Sequence, residues 1–159
     1  MSLVDSLTVR PATLDDLDAL TTFSAAMALE TEQRILDRAR LRLGTRAVLE
    51  QPERGQFYVA DVRPKPRADR ITVGQLLITY EWSDWRNWNL WWFQSVYVEA
   101  GWRAKGVFRG LYDHVVAAAV REGVVGLRLY VEEDNHTAQE VYRRRGMNRT
   151  SYRVFEREL

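Results

Sequence analysis

The chain has 159 residues, which is the usual size of one globular domain. It carries 23 Lys and Arg residues against 22 Asp and Glu residues, and the resulting net charge of +1 gives no electrostatic reason to expect nucleic acid or an anionic membrane as a partner. It has no cysteine, which excludes disulfides, thiol nucleophiles and thiolate metal sites. The only two histidines, His114 and His136, lie far apart in the sequence, so we expect no metal site.

The sequence also carries no recognisable targeting segment. Residues Met1–Asp5 contain neither a basic region nor an apolar run of signal-peptide length. No stretch reaches the roughly 20 apolar residues that a membrane span needs. We therefore expect a cytoplasmic protein. Because no repeat, low-complexity tract or long linker divides the sequence, we also expect a single domain over residues 1–159.

The first half of the chain predicts a strand, two helices and a hairpin. The opening strand should end at Pro11, which has no N–H to donate to a ladder. Thr13 and Asp16 have the spacing of a capping box, and apolar residues then recur at helical spacing. The predicted elements are strand Leu7–Arg10, helices from Leu14 to about Glu30 and from about Thr31 to Glu50, and strands Gln56–Val62 and Ile71–Tyr80 around the polar turn Arg63–Asp69.

The second half alternates strands with helices. An apolar and aromatic run predicts a central strand that is buried on both faces. The predicted elements are strand Leu90–Val98, a helix from about Gly106 to Arg121, strand Val125–Val131, a short helix capped by Thr137 and ending at Arg145, and strand Ser151–Glu156. This order is typical of a mixed α/β layout around one sheet.

The loop before the second-half helix predicts an anion site. A buried strand, a glycine-bearing loop and an amphipathic helix bring free backbone N–H groups and the positive end of a helix dipole to one point, which suits a pyrophosphate. Gly106 lets the backbone approach a phosphate, and Arg103, Lys105 and Arg109 add positive charge. By itself the loop is equally typical of an ordinary strand-to-helix turn. It is neither Gly-x-Gly-x-x-Gly nor a P-loop.

Two motifs resemble those of the GNAT acetyltransferases. Arg103-Ala-Lys-Gly-Val-Phe108, placed after the strand tripeptide Val96–Val98, is similar to the family's acetyl-CoA signature Arg/Gln-x-x-Gly-x-Gly/Ala. Farther along, Asn135-His-Thr-Ala followed by Tyr142 and then Gly-Met is similar to the family's strand–loop–helix unit. Phe108 departs from the signature, which has Gly or Ala there, so its side chain must point away from the pyrophosphate and into the sheet.

The resemblance implies a fold and a cofactor. The expected fold class is α/β (mixed α+β), a single GNAT-like domain whose mixed, mostly antiparallel twisted sheet has about six to seven strands flanked by about four helices. Strands Leu90–Val98 and Val125–Val131 would splay apart around the pantetheine arm of acetyl-CoA. The implied cofactor-binding residues are Val96, Tyr97, Val98, Arg103, Ala104, Lys105, Gly106, Val107, Phe108, Arg109, Gly110, Asn135 and Ala138.

The implied reaction is direct transfer of the acetyl group from acetyl-CoA to a primary amine of a small molecule or peptide. Tyr142 matches the family's usual general acid, although it is also typical of a core aromatic. Some relatives carry a catalytic-base candidate, a glutamate, on the central strand at the position of Gln94 in this chain. We therefore take Glu81 as the candidate base. Weaker candidates for the base are Asp84 and Glu99, and a water relay without a dedicated base is a further alternative.

Five of the six tryptophans lie between residues 82 and 92. Trp82, Asp84 and Trp85 are therefore candidate substrate-binding residues, because indole faces and carboxylates attract an ammonium group. Trp91 and Trp92 are more typical of a core or of a dimer interface, and a homodimer is one expectation from the resemblance. Phe108 and Gln94 also keep open an alternative function, a catalytically weak or inactive module that binds acyl-CoA as a sensor.

Overall fold

A computed structural model of the chain describes residues 7–65 and 67–159. The segment Met1–Asp5 and Pro66 of the predicted polar turn lie outside the described residues. The described elements, in chain order, are β1 (Thr8–Pro11), α1 (Leu17–Glu32), α2 (Arg38–Glu50), β2 (Gln56–Val62), β3 (Ile71–Ser83), β4 (Trp88–Val98), α3 (Val107–Arg121), β5 (Leu127–Leu129) and α4 (His136–Arg144). Short 3₁₀ turns lie at Leu14–Asp16 and Ala100–Trp102.

The chain forms two compact units that divide after Leu129. The first unit contains all five strands and helices α1 to α3, and the second, Tyr130–Leu159, contains α4. Within the part of the chain that the structure describes, no helix is both long enough and apolar enough to cross a bilayer.

The five strands form one sheet in the order β1-β2-β3-β4-β5. The first four strands pair antiparallel with their neighbours, whereas β4 and β5 pair parallel. A parallel pair needs a long crossover connection, and α3 supplies it between β4 and β5. The predicted fold class, a mixed α/β fold with a mostly antiparallel sheet and four helices, is therefore confirmed.

The number of strands is lower than predicted. The strand predicted at Val125–Val131 is reduced to Leu127–Leu129, which pairs with β4 only along Trp91–Phe93. The strand predicted at Ser151–Glu156 is not formed. Tyr152 and Val154 lie two residues apart, as on one face of a strand, but Phe155 is 95% exposed, and no described strand pairs with this segment. A strand needs a ladder partner as well as a pattern.

Several element boundaries in the first unit also differ from prediction: α1 begins at Leu17, β3 extends to Ser83 and β4 begins at Trp88. β1 continues through Pro11, which pairs with Tyr58, because β1 is an edge strand whose outer side needs no donor. The second helix begins at Arg38 and not near Thr31. It begins there because the Asp37 carboxylate caps the helix. This carboxylate accepts the backbone N–H groups of Ala39 and Arg40, at 2.9 and 3.1 Å.

Helices cover both faces of the sheet in the first unit. On one face, Leu20 of α1 packs with Phe57 and Val59 of β2, and side chains of α2 join this cluster. On the opposite face, α3 packs so closely on β3 that a Cβ at Gly74 would meet the Val107 side chain at 3.2 Å. The same strands therefore hold α1 and α2 on one side and α3 on the other.

A buried ion-pair network fixes the start of the first unit. Arg10 donates two hydrogen bonds to Asp16, at 2.8 and 2.9 Å, and a third, from Nε, to Asp61 at 2.8 Å. Asp16 also accepts the backbone N–H of Thr13 at 2.8 Å, which completes the predicted capping box. Both carboxylates are buried, so this network joins β1, β2 and the entry to α1 where water cannot replace its bonds.

We expect Asp16→Asn to lower the free energy of unfolding by about 1.5–3 kcal/mol at pH 7, the usual worth of hydrogen bonds to a charged group. Burial alone would raise the pKa of Asp16, but the hydrogen bonds from Arg10 and Thr13 hold it below its usual value. The carboxylate therefore stabilises the fold above the pKa of an unfolded Asp, about 4, and this contribution is lost as the pH falls through the lower folded value.

Urea unfolding of the wild type and Asp16→Asn at a series of pH values measures this difference. The gap between the two proteins should narrow as the pH is lowered below about 4. Asp15→Asn is the matched control, because Asp15 is the exposed neighbour, and it should leave stability nearly unchanged. An Asp16→Asn protein as stable as the wild type at pH 7 would contradict this account of the network.

Candidate active site

The second half of β4 has a free edge on the side that faces β5. The ladder between the two strands ends at Phe93, so Gln94–Val98 is not paired with β5. On the other side of β4, the Glu99 N–H donates to the Val73 carbonyl at 2.9 Å. Because backbone groups alternate along a strand, the N–H and C=O groups of Val96 and Val98 point away from β3. These backbone groups therefore lie along the free edge.

A β-bulge lies where this free edge begins. Leu77 pairs with Ser95 but the next residue of β3, Ile78, pairs with Phe93, so Gln94 is the extra residue of β4. A bulge bends its strand and changes the direction of its side chains. Gln94 is exposed, and its Nε2 donates to Thr79 Oγ1 at 2.8 Å. The bulge thus separates the part of β4 that pairs with β5 from the part that does not.

The predicted anion site lies at the N-terminus of α3. Its N-cap, Gly106, has a left-handed backbone (φ 87°) and no side chain to cap the helix. The first intrahelical bond, from Gly110 N to Gly106 O, is 2.9 Å, so the N–H groups of Val107, Phe108 and Arg109 lie in the first turn before it. A Cβ at Gly106 would meet only Arg109 Nη2, at 3.9 Å. The helix end is therefore open, with a guanidinium beside it, and fits a phosphate.

Two of the three predicted loop cations are bound to the loop itself. Arg103 Nε donates to the Val98 carbonyl at 2.9 Å. Lys105 Nζ donates to the Gly101 carbonyl at 2.7 Å. These bonds fold the loop between β4 and α3 back on itself. Arg109, by contrast, places a guanidinium nitrogen beside the open helix end.

Phe108, which departs from the resembled signature, packs toward the sheet. Its half-buried ring lies 6.0 Å from the ring of Tyr112, one turn farther along α3. Tyr112 in turn packs edge-on against Phe93 of β4, with the ring centroids 5.6 Å apart. The side chain therefore points along α3 toward the sheet, as the sequence requires if the backbone at this position is to bind a phosphate.

Glu81, the predicted base, is held in an ion pair. Both of its carboxylate oxygens accept from Arg128 Nη1 of β5, at 2.9 and 3.0 Å, and one also accepts the indole N–H of Trp92. Arg128 lies 5.9 Å from the centre of the Trp92 ring. The three side chains come from three neighbouring strands and fix the carboxylate in place. Sequence reasoning missed Arg128, although an arginine between two leucines of a buried strand signals a paired charge.

The predicted substrate-binding residues lie at the β3–β4 hairpin. Trp82 is 59% exposed, Trp85 is 92% exposed, and Asp84 accepts the backbone N–H of Trp85 at 2.9 Å. The hairpin lies at the start of β4 and the anion site at its end. At about 3.3 Å per residue, about 30 Å separate the two ends of the strand. The structure therefore does not bring these three residues to the anion site. Trp91, by contrast, belongs to the core and is 2% exposed.

In the second unit, the second motif forms one local structure around α4. The side chain of Asn135 caps the helix by accepting the N–H of Ala138 at 3.0 Å. At the other end, the carbonyl of Tyr142 accepts the N–H of Met147 at 3.1 Å, across Gly146, which has a left-handed backbone (φ 83°). Asn135 thus starts this helix and Gly146 closes it, which explains the structural role of both residues in the motif. The Tyr142 side chain is half-buried.

Comparison with known families identifies the chain. Residues 24–147 match the model of the acetyltransferase (GNAT) family. The chain belongs to the GNAT acetyltransferase family. It is therefore an acyltransferase of the type that uses acetyl-CoA as acetyl donor, and the open edge of β4 and the N-terminus of α3 lie within the matched residues.

Solved structures show the same GNAT fold over nearly the whole chain. A protein from Clostridium difficile 630, described as a possible acetyltransferase, is 38% identical, with 97% of this chain and 98% of that chain covered and a TM-score of 0.86. An aminoglycoside acetyltransferase from an uncultured soil metagenomic sample, solved with sisomicin, is 15% identical, with 99% of both chains covered and a TM-score of 0.78.

A further aminoglycoside N-acetyltransferase, solved with CoA, is 13% identical, with 96% of this chain and 94% of that chain covered and a TM-score of 0.77. At such identities the last two likenesses establish the fold alone. A comparison with curated protein sequences gave no significant match.

Proposed function

We propose that this GNAT enzyme is an N-acetyltransferase that moves the acetyl group of acetyl-CoA directly to a primary amine of a small molecule or peptide. The observation that carries the proposal is the open N-terminus of α3 at Gly106, which follows directly on the free edge of β4. The first suits a pyrophosphate, and the second offers backbone groups to the amides of a pantetheine arm. We propose that residues 1–159 act as one domain.

The proposed cofactor contacts follow from the directions of the backbone groups. The outward-pointing groups of Val96 and the N–H of Val98 hold the pantetheine amides, and the loop from Arg103 to Gly110 holds the pyrophosphate through its N–H groups. Asn135 and Ala138 are two further proposed cofactor contacts. Acetyl-CoA supplies the activated thioester, and the chain's residues bind it, orient it and handle protons.

We assign the protons to two side chains. The acceptor amine must lose a proton to attack the thioester carbonyl, and Glu81 is the proposed acceptor of that proton. The C–S bond breaks as the C–N bond forms, and Tyr142 donates its hydroxyl proton to the departing thiolate. The nitrogen then loses its second proton, which returns to the Tyr142 oxygen. The products are the N-acetylated amine and free CoA. Both oxygens of Glu81 accept hydrogen bonds from Arg128, so the carboxylate must give up part of this ion pair to take a proton. We propose that a water molecule between the amine and the carboxylate relays the proton.

The acceptor is proposed to carry a positive charge before it binds. Asp84 places a carboxylate on the hairpin, and the exposed rings of Trp82 and Trp85 offer faces that attract an ammonium group. Amine-rich acceptors are also consistent with the aminoglycosides named for two of the fold neighbours.

Acetyl-CoA is expected to raise the melting temperature by about 5 °C or more at a hundredfold excess over its dissociation constant, because it binds the folded state alone. NADH is the control ligand, since it has a pyrophosphate and an adenosine but no pantetheine. No shift with acetyl-CoA, or an equal shift with NADH, would contradict the proposed cofactor site.

Release of free CoA thiol with a panel of amines then tests turnover. The panel should contain a polyamine, an aminoglycoside, a lysine peptide and a peptide with a free α-amine. We expect release with at least one of them, and mass spectrometry should find one acetyl group on the amine. Binding of acetyl-CoA without turnover of any amine would favour the alternative function, an acyl-CoA-binding module.

A further inference from the structure

The side chain of Arg103 connects the loop after β4 to helix α1. Its Nε donates to the carbonyl of Val98, the last residue of β4, at 2.9 Å. Its Nη2 donates to Glu30, in the last turn of α1. The other carboxylate oxygen of Glu30 accepts the hydroxyl proton of Tyr97 at 3.1 Å. The Glu30 carboxylate thus binds both Tyr97, near the end of β4, and Arg103, the first residue of the resembled acetyl-CoA signature.

The surroundings fix Glu30 in this place. Phe23, two turns earlier on α1, packs against the ring of Tyr97 with the centroids 5.5 Å apart, and Tyr97 is buried. The Arg103 guanidinium lies 5.5 Å from the same ring. The hydrogen bond from Arg103 lowers the pKa of Glu30, so the carboxylate is ionised at neutral pH. The contact is therefore a charge-assisted one on a packed aromatic support.

The loop that Arg103 begins has an unusual backbone. Ala104 has φ of 57°, in the left-handed region that residues with a Cβ rarely occupy, and Gly106 follows with φ of 87°. Such conformations persist only where neighbouring contacts hold them. Arg103 supplies such a contact on the strand side of Ala104, and Lys105 supplies another by binding Gly101. The directions of the loop N–H groups depend on these contacts.

We propose that Glu30 is a positioning residue for the pyrophosphate loop, acting through Arg103 and supported by Tyr97. The inference rests on the proposed function, because it concerns the same acetyl-CoA site. Glu30 touches no reacting atom. It holds Arg103 against the end of β4, and so sets the loop backbone in the conformation that receives the phosphates before the ligand arrives.

The pair is well suited to this role because its contribution to overall stability is small. The side chains of Glu30 and Arg103 are 43% and 47% exposed. Exposed pairs of this kind contribute little to the free energy of unfolding. Loss of Glu30 should therefore leave the protein folded and change the loop alone.

Isothermal titration with CoA tests the proposal. We expect Glu30→Ala to raise the Kd for CoA about three- to fivefold, with kcat at saturating acetyl-CoA unchanged and the melting temperature of the free protein nearly unchanged. Glu30→Gln, which keeps hydrogen-bonding atoms but no charge, should fall between the wild type and Glu30→Ala. Glu32→Ala is the matched control, an exposed carboxylate at the end of the same helix, and should leave the Kd unchanged.

A double-mutant cycle separates positioning from a general effect on the fold. In an Arg103→Ala background, Glu30→Ala should change the Kd no further, because the contact through which it acts is already gone. An unchanged or tighter Kd for Glu30→Ala, or an equal loss in the Arg103→Ala background, would overturn the inference. Failure of the wild type to bind CoA would instead overturn the proposed function, so the two failures are distinguishable.

Discussion

Replacing Tyr142 with phenylalanine is expected to lower kcat about 10²-fold, while the Kd for CoA stays within about twofold of the wild type. The change removes one hydroxyl and leaves the ring. If that hydroxyl protonates the departing thiolate, its loss destabilises the transition state and leaves the ground state nearly unaffected. The backbone of Tyr142 is held by the closing turn of α4, so the ring should stay in place in the variant.

The measurement is steady-state kinetics with the best acceptor from the amine panel, combined with titration of CoA. Tyr152→Phe is the matched control, since Tyr152 belongs to the same unit and is 81% exposed. It should leave both constants unchanged. Unchanged turnover in Tyr142→Phe, under conditions where viscosity has no effect and the chemical step is therefore rate-limiting, would remove the assigned role.

Gly106→Ala is expected to weaken CoA binding about tenfold or more, since it places a methyl group where the phosphate would lie. Its conformational cost of about 1–2 kcal/mol lowers the stability of the fold. The backbone of Gly106 is left-handed, which disfavours alanine. The space around it is otherwise open, because a Cβ there would approach only the Arg109 guanidinium, at 3.9 Å. The protein should therefore still fold, with a melting temperature lower by a few degrees.

Two controls separate the conformational cost from obstruction of the phosphate. Gly101→Ala adds a methyl group to the same loop. Gly101 has no positive φ, and an added Cβ there would meet no atom within 4 Å. Gly123→Ala adds one at φ of 69°, also into open space, but beyond the C-terminal end of α3. Gly101→Ala should change neither the CoA affinity nor the melting temperature. Gly123→Ala should lower the melting temperature and leave the CoA affinity unchanged. CoA affinity equal to that of the wild type in Gly106→Ala would show that no phosphate approaches this residue.

The sequence predicted the elements of the first unit well where local chemistry specifies them. Strand Gln56–Val62 has the predicted bounds. Helix α3 begins at Val107, one residue after its predicted start at Gly106. The capping box at Thr13 and Asp16 is present. Each of these depends on a periodic pattern or on a capping residue, and both are read from a few neighbouring positions.

Prediction failed where several caps compete or where pairing is decided at a distance. Thr137 is a good N-cap in type, yet Asn135 caps α4, because its side chain reaches the Ala138 N–H and starts the helix at His136. Asp37 likewise interrupts a helical pattern that runs past it. The segment Ser151–Glu156 is rich in residues that favour strands, but it has no ladder partner among the described strands.

The candidate site shows the same division. The open helix start at Gly106 was predictable, because a glycine between a buried strand and an amphipathic helix has a direct local meaning. The ion pair of Glu81 with Arg128 was not, since it joins strands that are far apart in sequence and meet only in the sheet. Nor was the contact between Glu30 and Arg103, which joins α1 to the loop after β4.

The sequence by itself indicated the family, through Arg103, Gly106, Asn135 and Tyr142 at their spacings, because a short motif is read from a few neighbouring positions. Only the tertiary structure decided what surrounds them. The free edge of β4 depends on where the ladder with β5 ends, and the charge of Glu81 is neutralised by a residue from a third strand. Ladder ends and ion pairs of this kind arise from contacts between distant segments, which periodicity and spacing do not encode.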